Sequence, residues 1–242
     1  MTTLAYADMI ALVADRSAAQ REAADGNLDR PVPGCPGWTN RDLVDHLGGV
    51  QRFWAAAVTS GTRDAPPDLP DEEPSGDLLT WAALQTDALV DALRATPPDS
   101  GAWTWWGEPR MVGAIARHQV QEAAVHAWDA QEAVGRVEAL PTRAAVDGVD
   151  EFLAIVERVG APWPHVPTTV SFAADEADEA WLVELGAEGA RVRRARAVGE
   201  ATLSGCASDL VLALYRRRRP DVLRVDGDHS RMTQFLNWTV LD

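Results

Sequence analysis

The chain has 242 residues, 46% of them apolar, enough to bury a core and to exclude wholesale disorder. Its formal charge of −15 disfavours general nucleic-acid binding, and all 22 of its basic residues are arginines, which excludes a Schiff-base or general-base lysine. Two cysteines make no disulfide framework, the N-terminus reads as lacking a signal peptide, and no apolar run approaches the roughly 20 residues of a membrane span, so a cytoplasmic protein with no membrane partner is expected.

The first stretch, about 2–25, reads as an amphipathic helix carrying Leu4, Met9, Ile10 and Val13, stopped by Asp25-Gly26-Asn27. Three prolines and two glycines between Arg30 and Trp38 then impose a rigid, non-helical path. Thr39 has the character of an N-cap, with Asp42 completing a capping-box variant. The helix it opens places Leu43, His46, Leu47, Val50, Phe53 and Trp54 on one broad face and ends near Ser60-Gly61. Residues 62–75, rich in proline and acid, read as a surface loop.

A third helix is expected from about Ser75 to Ala95, ended by Thr96-Pro97-Pro98, and a loop with Trp103, Trp105 and Trp106 follows. The fourth helix is expected from about Arg110 to Val134, stopped by Gly135, with Met111, Ile115, His118, Glu122 and His126 along one stripe. Four helices joined by loops predict a four-helix bundle over residues 1–140.

From about 141 to 242 the pattern changes to a smaller α+β domain. A helix at roughly 143–159 precedes strand-like segments at 168–172, 180–185, 190–194 and 222–225. Ser208-Asp209 reads as the cap of a short helix through Leu214, and a last helix covers about 230–238. Arg216 to Arg219 form the one basic run, explained by a helix C-terminus, with an anion site as the sharper alternative.

His46, Glu122 and His126 are the candidate metal ligands. Glu122 and His126 stand four residues apart, hence one turn apart on the same helical face, and His46 lies on the apolar stripe of another helix. A single histidine on such a stripe is ordinarily a hydrogen-bonded core residue. A glutamate on a core-facing stripe is costly without a cation or donor, and that shifts the balance. Two imidazoles and a carboxylate suit Zn²⁺ most readily, with Fe²⁺, Ni²⁺ and Mn²⁺ left open, and three ligands leave a coordination position free for chemistry. His118, one turn before Glu122, is open between fourth ligand, acid/base group and lining residue, with the last two favoured; it is the candidate catalytic residue. Asp129 is placed to orient His126 through its second ring nitrogen. Trp103, Trp105 and Trp106 are either an apolar cap or the wall of the pocket, Trp105 and Trp106 being the candidates to meet a cofactor. Cys35 lacks the spacing of a nucleophilic dyad and reads as an inert buried thiol.

The run from Val32 to Leu47, Val-Pro-Gly-Cys-Pro-Gly-Trp-Thr-Asn-Arg-Asp-Leu-Val-Asp-His-Leu, resembles the mycothiol-dependent maleylpyruvate isomerase family of the DinB-like metal-binding bundles. Glu122-Ala123-Ala124-Val125-His126-Ala127-Trp128-Asp129-Ala130 resembles the family's second ligand segment. Gly205 to Leu210 and Val225 to Asp228 are similar to its C-terminal α+β domain, so the likeness spans nearly the whole chain. The resemblance implies that His46, Glu122 and His126 hold a divalent metal and that mycothiol is the thiol cosubstrate. It also implies a small-molecule electrophile as the other partner. Addition of the thiolate alone would make an S-transferase; addition, bond rotation and elimination would make an isomerase. A non-catalytic ligand sensor or stress protein on the same bundle and, more distantly, a nonhaem-iron oxygenase are the competing readings. Monomer and homodimer are both compatible with the sequence.

Overall fold

The computed structural model describes residues 4–70, 74–218 and 220–239. The expected start of the first helix at residues 2–3, part of the 62–75 loop and Arg219 fall outside them. The chain divides into two compact units, Met1–Glu138 and Ala139–Asp242.

The first unit is a four-helix bundle of α1 (Tyr6–Ala24), α2 (Asn40–Ser60), α3 (Leu78–Ala95) and α4 (Val112–Ala133). α1 packs on α4 and α3, and α2 packs on α3 and α4, so α1 and α2 stand nearly diagonal to each other. The connection from α1 to α2 therefore has to cross one end of the bundle. α2 and α3 start where a side chain supplies a partner for the free N–H groups of the first turn. Thr39 and Asp42 form the reciprocal capping box at α2, the Asp42 carboxylate accepting from the Thr39 N–H at 2.7 Å. Asp77 caps α3, accepting from the Thr80 N–H at 2.9 Å, which starts that helix a turn later than its sequence suggested. Gly61, in the left-handed region at φ 64°, ends α2. Met111 is the N-cap of α4, not a member of its stripe.

The bundle core contains a closed polar network as well as hydrocarbon. Arg21 of α1 donates to the Thr86 hydroxyl, that hydroxyl donates to the Gln51 carbonyl, and the Gln51 amide donates to Ser17. These bonds run from 2.7 to 2.8 Å and tie α1, α2 and α3 together.

The second unit begins with α5 (Thr142–Val159) and continues with β1 (Thr168–Ala174), β2 (Glu179–Gly186), β3 (Gly189–Arg194) and β4 (Ala201–Gly205). α6 (Ala207–Leu214), a short 3₁₀ turn (Pro220–Val222), β5 (Arg224–Gly227) and α7 (His229–Trp238) complete it. The sheet order is β3-β2-β1-β4-β5, with β1 and β4 parallel and every other pair antiparallel. Register aligns Trp181, Phe172, Leu203 and Val225 in one row across β2, β1, β4 and β5. Phe172 meets Phe235 of α7 at 5.3 Å between ring centroids, which seats α7 on that face.

Two details of this unit differ from the sequence expectation. β4 is not evident in the sequence because Ala201-Thr-Leu-Ser-Gly has a single large apolar residue; its burial comes from its place between β1 and β5. The cap of α6 is Cys206, whose sulfur accepts from the Asp209 N–H, in place of Ser208. Arg216 donates to the carbonyls of Leu236 and Asn237 at 3.1 Å, satisfying the end of α7, and Arg218 pairs with Asp209 at 3.0 Å. The described part of the basic run thus closes helix ends and an ion pair.

α2 and α3 approach closely at Gly48, where a Cβ would overlap the buried Trp81 ring. Gly48→Ala is therefore expected to destabilise the bundle. Overpacking costs about 1–3 kcal/mol, more than the roughly 1 kcal/mol that alanine gains in helix propensity. Urea unfolding checks this, and a variant more stable than the parent would contradict the close approach.

Candidate metal centre

α2 and α4 run antiparallel, as two cross-contacts show. His46 and His126 meet at 5.1 Å between ring centroids, and Trp54, two turns on, meets His118 at 6.1 Å. This brings His46 to the Glu122 and His126 pair, as its place on the α2 stripe suggests. One ligand atom from each of His46, Glu122 and His126 lies within 4.8 Å of the other two. Small side-chain rotations would close that gap to the bonds of about 2.0–2.2 Å that zinc takes from imidazole and carboxylate.

The Glu122 carboxylate sits between two imidazoles on its own helix. Its Oε2 is 3.3 Å from His126 Nε2 and its Oε1 is 3.6 Å from His118 Nε2. On the far side of the His126 ring, Nδ1 lies 3.0 Å from Oδ2 of Asp129, a fully buried carboxylate. His126 is thus oriented at both nitrogens. A carboxylate behind a ligand imidazole is the usual support of a metal-bound histidine.

His118 is held differently. Its ring is buried among Trp54, Trp105 and Trp106, with centroids 6.1, 5.9 and 4.7 Å away. Trp106 is buried, whereas Trp105 remains 42% exposed. Trp103 stacks on Trp54 at 6.2 Å and completes the aromatic wall. The segment carrying these indoles is a small hairpin. An isolated bridge joins Gly101 to Met111, and the Ala102 N–H donates to the Arg110 carbonyl at 3.2 Å. The Thr104 hydroxyl binds the Gly107 carbonyl, and Gly107 adopts φ 80°, a conformation that glycine takes without strain. The hairpin therefore sets Trp105 and Trp106 against His118 and Trp103 against Trp54.

Two supporting residues carry less signal in the sequence. Trp54 appears there as one more apolar residue of α2, with no sign that it would face His118. Cys35, read as an inert thiol, is half-buried and lies 3.6 Å from Asp129 Oδ2. Asp45 is exposed on α2.

Burial opposes ionisation of Glu122, but the His126 hydrogen bond and the charges of His126, His118 and His46 outweigh it and bring the carboxyl down to about 2. Burial likewise opposes the charge on His126. Hydrogen bonds to Asp129 and Glu122, and the charges of both, overcome it and raise the imidazole to about 9. In metal-free protein, Glu122 adds stability above its ordinary 4.5 that is lost as pH falls toward 2. His126 adds stability that is complete below its ordinary 6.5 and is lost as pH rises through about 9. Chelator-treated protein should therefore lose Tm between pH 6.5 and 9, and His126→Ala should flatten that alkaline limb. An unchanged limb in the variant would place the titrating group elsewhere.

Residues 10–131 match the family model described as mycothiol maleylpyruvate isomerase N-terminal domain, and residues 143–232 match the one described as MDMPI C-terminal domain. A crystal structure of the mycothiol-dependent maleylpyruvate isomerase is similar at 13% identity and a TM-score of 0.61, over 93% of this chain and 95% of that one. The crystal structure of a histidine-to-alanine variant of the mycothiol-dependent maleylpyruvate isomerase is similar at 14% identity and a TM-score of 0.64, over the same 93% and 95%. At these identities the two structures establish the fold. No curated protein sequence matches the chain significantly. The first family model alone covers half of the chain, and on that ground the chain belongs to the mycothiol maleylpyruvate isomerase family.

Proposed function

We propose that this protein is a metal- and mycothiol-dependent enzyme of the cytoplasm that adds an activated thiolate to a small electrophile, and that isomerisation is its reaction. The observation that carries the reading is the convergence of His46, Glu122 and His126 to within 4.8 Å in a member of this family. Both descriptions of similar crystal structures name a mycothiol-dependent maleylpyruvate isomerase, which supports the thiol and the reaction class.

His46, Glu122 and His126 would hold one divalent cation, zinc being the best match to two imidazoles and a carboxylate. When bound, such a cation supplies an open position that lowers a thiol pKa to near neutrality. The chain's own groups do the rest. Asp129 keeps the His126 ring turned with Nε2 toward the centre. His118, which is not among the three converging ligands, lies with Nε2 3.6 Å from Glu122 and, as a neutral imidazole, would take the thiol proton and return it to the departing thiolate. Trp105 and Trp106 shield that proton from bulk water, and the exposed part of Trp105 offers a flat apolar surface for the thiol or the electrophile.

In bond terms, the thiolate forms a C–S bond to an alkene carbon conjugated to a carbonyl, and the π pair moves onto the carbonyl oxygen. Rotation about the resulting single bond and departure of the thiolate, with return of that pair, give the geometric isomer and regenerate the thiol. If instead the adduct is protonated and released, the outcome is S-transfer, the second reading of the same site.

Metal analysis should find about one divalent ion per chain in the parent, as a three-ligand catalytic site requires, and His126→Ala should lose it. Turnover of a cis-enone diacid should require both mycothiol and the metal. His118→Ala should retain the metal and lose about 10²–10⁴-fold in kcat, the usual contribution of a general acid–base. Full metal content in His126→Ala, or turnover without any thiol, would overturn the assignment.

A further inference from the structure

The segment between α1 and α2 does more than connect them. Its backbone closes on itself: the Val32 N–H donates to the Trp38 carbonyl at 2.9 Å, Trp38 N–H to Cys35 at 3.0 Å, and Cys35 N–H to Val32 at 3.2 Å. Pro31 bridges Thr39 just outside this turn, and the Asn40 N–H reaches the Arg30 carbonyl at 2.9 Å. Val32 is buried with Leu43 and Ala130, and Cys35 and Trp38 pack on that cluster, so the loop is anchored on α2 and α4 together. Three prolines within it remove much of its remaining freedom.

From this fixed turn two side chains reach the two histidines of the centre. The Trp38 ring meets the His46 ring edge-on, with centroids 5.0 Å apart. The Cys35 thiol lies 3.6 Å from Asp129 Oδ2, the same oxygen that stands 3.0 Å from His126 Nδ1. His46 comes from α2 and His126 from α4, eighty residues away, yet one loop supports both.

We propose that the loop from Pro31 to Trp38 is the positioning element of the metal centre. Trp38 sets the rotation of the His46 ring, and Cys35, through Asp129, sets that of His126. The inference rests on the metal reading above and adds to it the means by which two ligands on different helices are held in register. Neither residue touches the reacting atoms. Both are positioning residues, and they act by reducing the reorganisation the imidazoles undergo when a cation is bound.

Cobalt(II) titration of apoprotein tests this, since visible absorption reports affinity and ligand geometry without any turnover. Cys35→Ala and Trp38→Leu should each weaken cobalt binding by about tenfold, the lower end of what loss of a supporting partner costs, and should shift the absorption bands. Cys35→Ser, which keeps a donor toward Asp129, and Trp38→Phe, which keeps a ring edge against His46, should restore binding to within about threefold of the parent. If the alanine or leucine variant fails to fold, the serine and phenylalanine variants still decide: a tenfold loss in them overturns the proposal. Parent-like affinity and spectrum in Cys35→Ala and Trp38→Leu would also overturn it while leaving the metal centre intact. A parent that takes up no cobalt at all would remove the metal reading and this inference with it.

Discussion

A carboxylate between imidazoles is the interaction on which the site depends. Glu122 carries a charge on the inward stripe of α4, where an unpaired anion would be strongly disfavoured. Its two oxygens face His126 and His118, and His46 approaches from α2. The remaining features of the centre serve that arrangement. Asp129 satisfies the back of His126, and the indoles around His118 leave its Nε2 directed at Glu122.

Helix pairing explains why the centre forms between α2 and α4. Antiparallel neighbours bring the start of α2 to the end of α4, so His46 meets His126 there, and further along the same seam Trp54 meets His118. The seam therefore has a polar end, with His46 and His126, and an aromatic end around His118, joined by Glu122. Two connecting segments cap it: the proline-rich turn beside the histidines and the tryptophan hairpin beside His118. Functional residues on segments held by a rigid scaffold are a common division of labour. Here the turn is held by its own backbone hydrogen bonds and the hairpin by the Gly101–Met111 bridge.

Much of the architecture is legible in the residues because local signals agree. The Thr39–Asp42 box, the Gly61 and Gly135 stops and the shift to alternating patterns after 140 mark elements whose formation needs little outside help. Where local signals are weak the reading failed. β4 is a strand because β1 and β5 flank it, and α6 is capped by a cysteine because Ser208 is already inside the helix. The basic run serves the end of its own helix through Arg217, which donates to the Tyr215 carbonyl, but Arg216 reaches the carbonyls of a helix twenty residues on. That choice depends on where α7 packs.

The sequence alone determined the residue types of the centre and their helical faces, since a four-residue spacing of Glu122 and His126 has one geometric meaning on a helix. It also determined family membership, through segments that match over both units. Only the tertiary structure decided which side chains stand around those three. The Cys35–Asp129 and Trp38–His46 contacts, and the enclosure of His118 by Trp54, Trp105 and Trp106, join segments with no periodic relation to each other. Helical periodicity assigns a residue to a face; what faces it across the bundle is set by helix pairing and loop path, and both are products of the folded whole.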